Sequence, residues 1–176
     1  FEVGRRYGAE DERPTLGLVL AGERTQRDWR SGRAQPFDAY DAKAEALAVL
    51  AAVGAPVDRL QVMEAVSAVY HPGRSGTLRL GPKTVLAEFG MLHPATARAF
   101  DIDGTVAAAE IFLDAIPQKR TSGHMRSAYA PPALQAVKRD FAFLVPATLV
   151  ADSLLRAVRG ADKAAIVDIR LFDVFT

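Results

Sequence analysis

The three histidines are obvious candidates for a chemical role, because imidazole is the commonest metal ligand and general base in proteins. They lie at positions 71, 93 and 124, and their spacings of 22 and 31 residues match no metal-binding motif. No carboxylate follows any of them by three or four positions. The sequence contains no cysteine, which excludes thiolate zinc sites, cysteine nucleophiles and disulfides. We therefore predict no metal site, and structural or solvated roles for His71, His93 and His124.

The most pointed motif is the string His71–Ser75, which reads His-Pro-Gly-Arg-Ser. Its guanidinium, hydroxyl and backbone N–H groups could together hold a small anion. However, the chain contains neither of the glycine-rich phosphate-binding motifs GxxxxGK(S/T) and GxGxxG. The GxSxG nucleophile elbow is also absent around Ser75. We favour a turn that enters a strand, with Arg74 paired to a buried carbonyl or carboxylate. A small-molecule-binding α+β enzyme domain with an anion site at His71–Ser75 remains the alternative.

The carboxylates are scattered, and sequence alone does not pair two of them into an acid–base couple. The basic residues are more informative, although the formal net charge of the 176 residues is only +1. Residues 117–176 carry nine Lys and Arg against five Asp, a net +4, which leaves −3 on residues 1–116. Such a segment is suited to a phosphate backbone. We predict no catalytic residue, and the candidate RNA-binding residues are Lys138, Arg139 and Arg170.

The hydrophobic pattern predicts a sheet with flanking helices over residues 1–116. Residues 1–7 and 15–21 read as two strands joined by a short polar turn, hence an antiparallel pair. Asp38 is predicted to cap a helix that ends at Gly54. The loop before it holds the only tryptophan, Trp29, which we expect to anchor that loop. The remaining predicted elements are strands over residues 60–65, 77–80, 84–89 and 106–116, and a short helix from Pro94 through Phe100.

The C-terminal third reads as a separate unit. Residues 117–137 contain three prolines among Ser, Gly and charged residues, which is typical of a linker. Beyond it we predict a strand over residues 139–145 and a second over residues 165–175, with their phenylalanines packed in a core. Between them, an apolar stripe of helical spacing predicts a helix that Thr148 caps and Gly160 ends.

Several strings resemble one family in order and spacing. They are FEVGRRY at residues 1–7, PFDAYDAK at residues 36–43, HPGRS at residues 71–75 and GMLHP at residues 90–94. Together they resemble the catalytic-like module in the C-terminal part of the bacterial phenylalanine–tRNA ligase beta subunit. Residues 132–175 resemble the start of that subunit's ferredoxin-like anticodon-binding domain.

The resemblance implies an α+β fold, in which a class II synthetase-like antiparallel sheet with flanking helices precedes a partial ferredoxin-like βαβ unit. Residues 1–116 would be an N-terminally truncated catalytic-like module, residues 117–137 a linker, and residues 138–176 the first part of the anticodon-binding domain. In this family the signature residues for ATP and amino acid lie in the alpha subunit. The resemblance therefore implies a catalytically inactive chain without a cofactor of its own, while the holoenzyme uses ATP and magnesium.

The implied partners are the alpha subunit, in an (αβ)₂ heterotetramer, and tRNA, in the cytoplasm and without a membrane. No apolar run reaches the roughly 18 residues that would span a bilayer. The chain starts at Phe1 without a methionine and stops within a strand-like pattern, so we expect a piece of a longer polypeptide. Its C-terminal half-domain would have an unpaired edge that is loosely ordered or borrowed by a neighbouring chain. An interaction domain without an RNA role is a further hypothesis.

Overall fold

The computed structural model describes residues 1–9, 11–64, 66–118, 129 and 131–175. The chain divides into two compact units, an N-terminal unit Phe1–Arg120 and a C-terminal unit Thr121–Thr176. Among the described residues no helix is both long and apolar enough to cross a membrane. His124 and much of the predicted linker lie outside the described residues.

The N-terminal unit is built on one six-stranded sheet and a small hairpin. Its strands are β1 (Glu2–Tyr7), β2 (Glu12–Ala21), β3 (Glu23–Thr25), β4 (Gln35–Pro36), β5 (Gln61–Met63), β6 (Tyr70–Leu80), β7 (Thr84–Leu92) and β8 (Val106–Phe112). The large sheet has the order β1-β2-β8-β7-β6-β5, and all of its neighbours pair antiparallel. The helices are α1 (Ala39–Ala52), α2 (Pro94–Ala99) and, in the C-terminal unit, α3 (Ala151–Ala161). The predicted α+β class with an antiparallel sheet is confirmed.

Helix α1 begins where the sequence predicts, because two aspartates close a capping box. The Asp38 carboxylate accepts hydrogen bonds from the backbone N–H groups of Tyr40 at 2.7 Å and Asp41 at 3.1 Å. In return, the Asp41 carboxylate accepts one from the Asp38 backbone N–H at 2.9 Å. These bonds satisfy N–H groups that a helix terminus leaves free. The start of α1 is therefore set by its own sequence.

The core lies between α1 and one face of the sheet. Ala42, Ala46 and Leu50 follow one another at intervals of four residues and are fully buried. The two alanines let the helix approach closely, and Leu50 joins the buried cluster that includes Ala87 and Ile111 of the sheet. Side chains alternate along each strand, so the residues between these core positions face the opposite side of the sheet.

The motif His71–Ser75 lies inside β6 and is not a turn that enters a strand. Tyr70 pairs with Leu92 and Ser75 pairs with Gly90, so residues 71–74 bulge out of the ladder. The Ser75 hydroxyl closes the bulge by donating to the His71 carbonyl oxygen at 2.6 Å. The prediction that Arg74 pairs with a buried group is also wrong. Its side chain is exposed and has no ion pair among the described residues.

The predicted role of Trp29 is wrong as well, because its side chain is 88% exposed and anchors nothing. The loop has local order of its own, since β3 and β4 pair at its two ends. Aromatic residues are usually buried, and the sequence offered no other sign of which apolar side chains would find a cavity.

In the C-terminal unit the predicted helix is confirmed, although its limits differ. Val150 precedes α3 without any side-chain cap, so Thr148 is not the capping residue, and Gly160 lies inside the helix. Neither residues 139–145 nor residues 165–175 form a strand. An alternating pattern defines a face, but a strand also needs a hydrogen-bonded neighbour, and the described residues supply none. The phenylalanines there are exposed, so the prediction of core packing is wrong.

Candidate functional site

Two glutamates on the sheet face opposite α1 form a carboxylate pair that the sequence did not reveal. Glu88 of β7 and Glu110 of β8 are directly opposite each other in the register. The Ser67 hydroxyl donates a hydrogen bond to Glu88 at 2.7 Å, and the Arg6 guanidinium lies 3.4 Å from the Glu110 carboxylate. Like charges at such a position repel each other, and these two partners offset that cost. Only the strand register could have shown this pair.

Burial has the largest effect on the ionisation of Glu110. It raises the pKa of Glu110, with Arg6 opposing the shift and Glu88 adding to it. Tyr70 is only 3% exposed, and burial raises the pKa of its phenol, with Glu110 and Glu88 contributing. The described residues contain no group of three His, Cys, Asp or Glu side chains that could hold a metal ion. The contacts support a structural role, because Arg6 ties β1 to β8 and Ser67 ties the segment before β6 to β7.

Glu110→Gln is expected to stabilise the protein relative to wild type at neutral pH, and less so at mildly acidic pH. A carboxyl with a raised pKa binds its proton more tightly when folded, so its contribution to the free energy of unfolding falls as the pH rises above 4.5. Glutamine removes that dependence. Urea unfolding of both proteins at the two pH values measures the difference, with Glu45→Gln on the exposed side of α1 as the control. A difference that stays constant or shrinks with rising pH would contradict the assignment.

His71 and Arg74 line a small open cavity of about 130 Å³ beside α2. The Nδ1 atom of His71 accepts a hydrogen bond from the Gly73 backbone N–H at 3.2 Å. His93 caps α2 in the same way, since its Nδ1 atom accepts from the Ala95 backbone N–H at 3.1 Å. The rest of the cavity lining is mostly apolar, including Met91, Leu92, Pro94, Ala97 and Val106. Arg74 is the only cationic side chain in the lining, so an anion site at His71–Ser75 is not favoured.

The three predicted RNA-binding residues are all exposed in the C-terminal unit. The Arg139 guanidinium donates to the Lys138 carbonyl oxygen at 3.2 Å, which leaves most of its donors facing solvent. None of the three forms an ion pair with a described carboxylate, whereas Arg156 of α3 is paired with Asp152 at 3.0 Å. The structure places Lys138 and Arg139 side by side, and no hydrogen bond among the described residues joins Arg170 to them.

Comparison with known proteins identifies the protein family of this chain. Residues 1–113 match the family model described as the phenylalanyl tRNA synthetase beta chain CLM domain. The beta subunit of phenylalanine–tRNA ligase from Novosphingobium aromaticivorans is 66% identical over 181 aligned residues, covering 99% of this chain and 23% of that protein.

Two further relatives agree. The beta subunit of phenylalanine–tRNA ligase from Zymomonas mobilis is 58% identical over 100% of this chain and 22% of its own length. The one from Brucella abortus is 47% identical, again over 100% of this chain, with 23% of its own length covered. The chain thus spans less than a quarter of the curated relatives it matches. By the family model and by these identities, the chain belongs to the family of phenylalanyl-tRNA synthetase beta chains.

Proposed function

We propose that this chain is a non-catalytic part of a phenylalanine–tRNA ligase, whose alpha and beta subunits together attach phenylalanine to its tRNA using ATP. The observation that carries the proposal is the 66% identity to a relative of that name across 99% of the chain. Residues 1–116 supply subunit scaffold, and residues 138–176 supply part of a tRNA contact. The partners are the alpha subunit and tRNA, and the assembly works in the cytoplasm.

The finer fold assignment is part of the proposal. The antiparallel six-stranded sheet, with α1 packed on one face, supports a class II synthetase-like module. The amphipathic helix α3 supports an anticodon-binding unit of the ferredoxin-like kind, in which the segments on either side of it would pair with further strands.

The proposal assigns ATP and magnesium to the holoenzyme, because the resemblance places the signature residues for ATP and amino acid in the alpha subunit. Among the described residues no group of three His, Cys, Asp or Glu side chains lies together. The sequence has no glycine-rich loop to hold a triphosphate. The proposal gives this chain no catalytic step. Its own residues form the sheet and present exposed basic side chains, and the alpha subunit carries out the chemistry.

Charge reversal in the C-terminal unit tests the RNA contact. The triple variant Lys138→Glu/Arg139→Glu/Arg170→Glu is expected to bind tRNA about tenfold more weakly or worse, because phosphate contacts release counterions. The slope of log affinity against log salt should be lower by about 0.7 for each phosphate that the variant no longer binds. Fluorescence anisotropy with end-labelled tRNA at several salt concentrations measures both quantities.

The matched control carries the same change of charge on the N-terminal unit, at Arg59→Glu/Lys83→Glu/Arg98→Glu. These three side chains are also exposed. If both triple variants weaken binding equally, the effect is one of net charge and the assigned contact is wrong. Arg170→Glu alone then shows whether Arg170 belongs with Lys138 and Arg139, since its own loss of affinity should exceed that of Arg98→Glu.

A further inference from the structure

The segment Glu23–Pro36, here called the Arg–Trp hairpin, is an ordered loop that projects an unburied tryptophan. Its two ends are the paired strands β3 and β4. At its tip the Asp28 carboxylate accepts hydrogen bonds from the backbone N–H groups of Arg30 and Ser31, both at 2.6 Å, and from the Ser31 hydroxyl at 2.8 Å. This aspartate turn fixes the loop around Trp29, so the exposure of the indole is built into the backbone.

The base of the hairpin is fastened to the helix behind it. The Arg24 guanidinium lies 3.0 Å from the Asp41 carboxylate in the first turn of α1 and donates to the Gln35 side chain at 2.6 Å. The indole is therefore presented by a loop that is tied at both its base and its tip. Such preorganisation lowers the entropic cost of binding a ligand at the tip.

The tip is basic because its three arginines outnumber its one carboxylate, Asp28. The backbone N–H of Ser31 is the main cause that lowers the pKa of Asp28, with the Ser31 hydroxyl and the Arg30 N–H adding to it. Arg27, Arg30 and Arg33 are all exposed, and none has an ion pair with a described carboxylate. The loop thus carries three exposed guanidinium groups within four residues of a single aromatic side chain, which is a combination suited to phosphates.

Trp29 has one face covered and one face open. The Arg30 guanidinium lies over the indole at 5.1 Å from the ring centroid, as in a cation–π pair. A nucleobase could stack on the other face, and such stacking contributes about 1–3 kcal/mol per base in single-stranded nucleic acid complexes. A protein partner would instead need a contiguous apolar patch. Within Glu23–Pro36 the only apolar residues besides Trp29 are Ala34 and Pro36.

We propose that the Arg–Trp hairpin is a second RNA contact, at which Trp29 stacks on one unstacked base while Arg27, Arg30 and Arg33 hold the neighbouring phosphates. This inference rests on the proposed function, because it takes tRNA as the RNA. It goes beyond that function by placing a further RNA contact on the N-terminal unit, in addition to the one proposed at Lys138, Arg139 and Arg170.

The chain itself provides the probe, since Trp29 is its only tryptophan. Titrating the 176-residue chain with an unmodified phenylalanine tRNA transcript at low salt should quench the tryptophan emission, with free tryptophan as the inner-filter control. The variant Arg27→Glu/Arg30→Glu/Arg33→Glu should lose the quench and bind about tenfold more weakly or worse, with a salt slope lower by about 0.7 for each phosphate that it no longer binds. The control Arg59→Glu/Lys83→Glu/Arg98→Glu should keep the quench.

The outcomes separate this inference from the proposed function. Binding of tRNA without a change in emission, or a quench that survives charge reversal at the hairpin, overturns the inference. A change in emission on adding the alpha subunit but not tRNA also overturns it, in favour of a protein contact. If only Lys138→Glu/Arg139→Glu/Arg170→Glu abolishes binding, the proposed function stands and the hairpin contact falls. A wild-type chain that binds no tRNA overturns both.

Discussion

Replacing Gly90 with alanine is expected to lower the free energy of unfolding of the N-terminal unit by about 3–5 kcal/mol. Gly90 has a φ of +151°, a conformation that L side chains rarely adopt. A Cβ atom there would lie 2.3 Å from the Ser75 Cβ, 2.5 Å from the Ser75 Cα and 2.6 Å from the Arg74 carbonyl oxygen. Two of these atoms belong to the backbone of the β6 bulge, so the strand itself would have to move.

Gly17→Ala is the matched control, because Gly17 lies in β2 of the same sheet and a Cβ atom would meet nothing within 4 Å. Chemical denaturation followed by far-UV circular dichroism compares the two variants with wild type. The control should stay within about 1 kcal/mol of wild type. Similar losses in both variants would show that the close approach of β6 and β7 at Gly90 does not determine stability.

Leu50→Ala is expected to cost about 2–5 kcal/mol of the free energy of unfolding. Leu50 is fully buried where α1 meets the sheet, and its neighbours Ala87 and Ile111 are also fully buried. The truncation leaves a cavity, because Ala42 and Ala46 already place α1 close to the sheet and leave little room for the helix to move inward.

The comparison for Leu50 is Val53→Ala, just after the end of the same helix, where the side chain is 52% exposed. That change should cost less than about 0.5 kcal/mol. Urea unfolding at one pH measures both variants, and the denaturant dependence should stay unchanged if only stability is affected. A loss at Leu50 as small as that at Val53 would mean that α1 is not the helix that closes the core.

Local signals were sufficient for the elements that the sequence predicted correctly. Asp38 and Asp41 mark the start of α1 because capping bonds span only three residues. Pro94 at the first position of α2 is an equally local signal, because its fixed φ suits the first turn of a helix. The alternating residues of β1 also led to the correct antiparallel pairing with β2, because only a short polar segment separates the two strands.

The parts that failed depend on contacts between distant residues. The bulge at residues 71–74 exists because Ser75 pairs with Gly90, fifteen positions away, and no local pattern encodes that register. Glu88 and Glu110 are 22 positions apart and meet only because β7 and β8 are neighbours. The expected anchoring role of Trp29 rests on its residue type alone, and nothing in the loop indicates a cavity to receive the indole.

In the C-terminal unit the sequence predicted the helix correctly, but it wrongly predicted strands on either side of that helix. The stripe of α3 repeats every three or four residues, so it is visible without any partner. The segments 139–145 and 165–175 have strand-like alternation, yet pairing depends on a neighbouring strand that the described residues do not include. The RNA-binding assignments of Lys138, Arg139 and Arg170 stay predictions, supported by their exposure and charge.

The central claim is that this chain supports a phenylalanine–tRNA ligase without doing its chemistry. The most direct test is co-purification of the tagged chain with a matching alpha subunit, followed by phenylalanine-dependent exchange of pyrophosphate into ATP by the chain alone. We expect the alpha subunit to co-elute with the wild-type chain and not with the destabilised Gly90→Ala variant, and the chain alone to show no exchange. Exchange by the chain alone, or failure to retain an alpha subunit that the full-length beta subunit does retain, would contradict the claim.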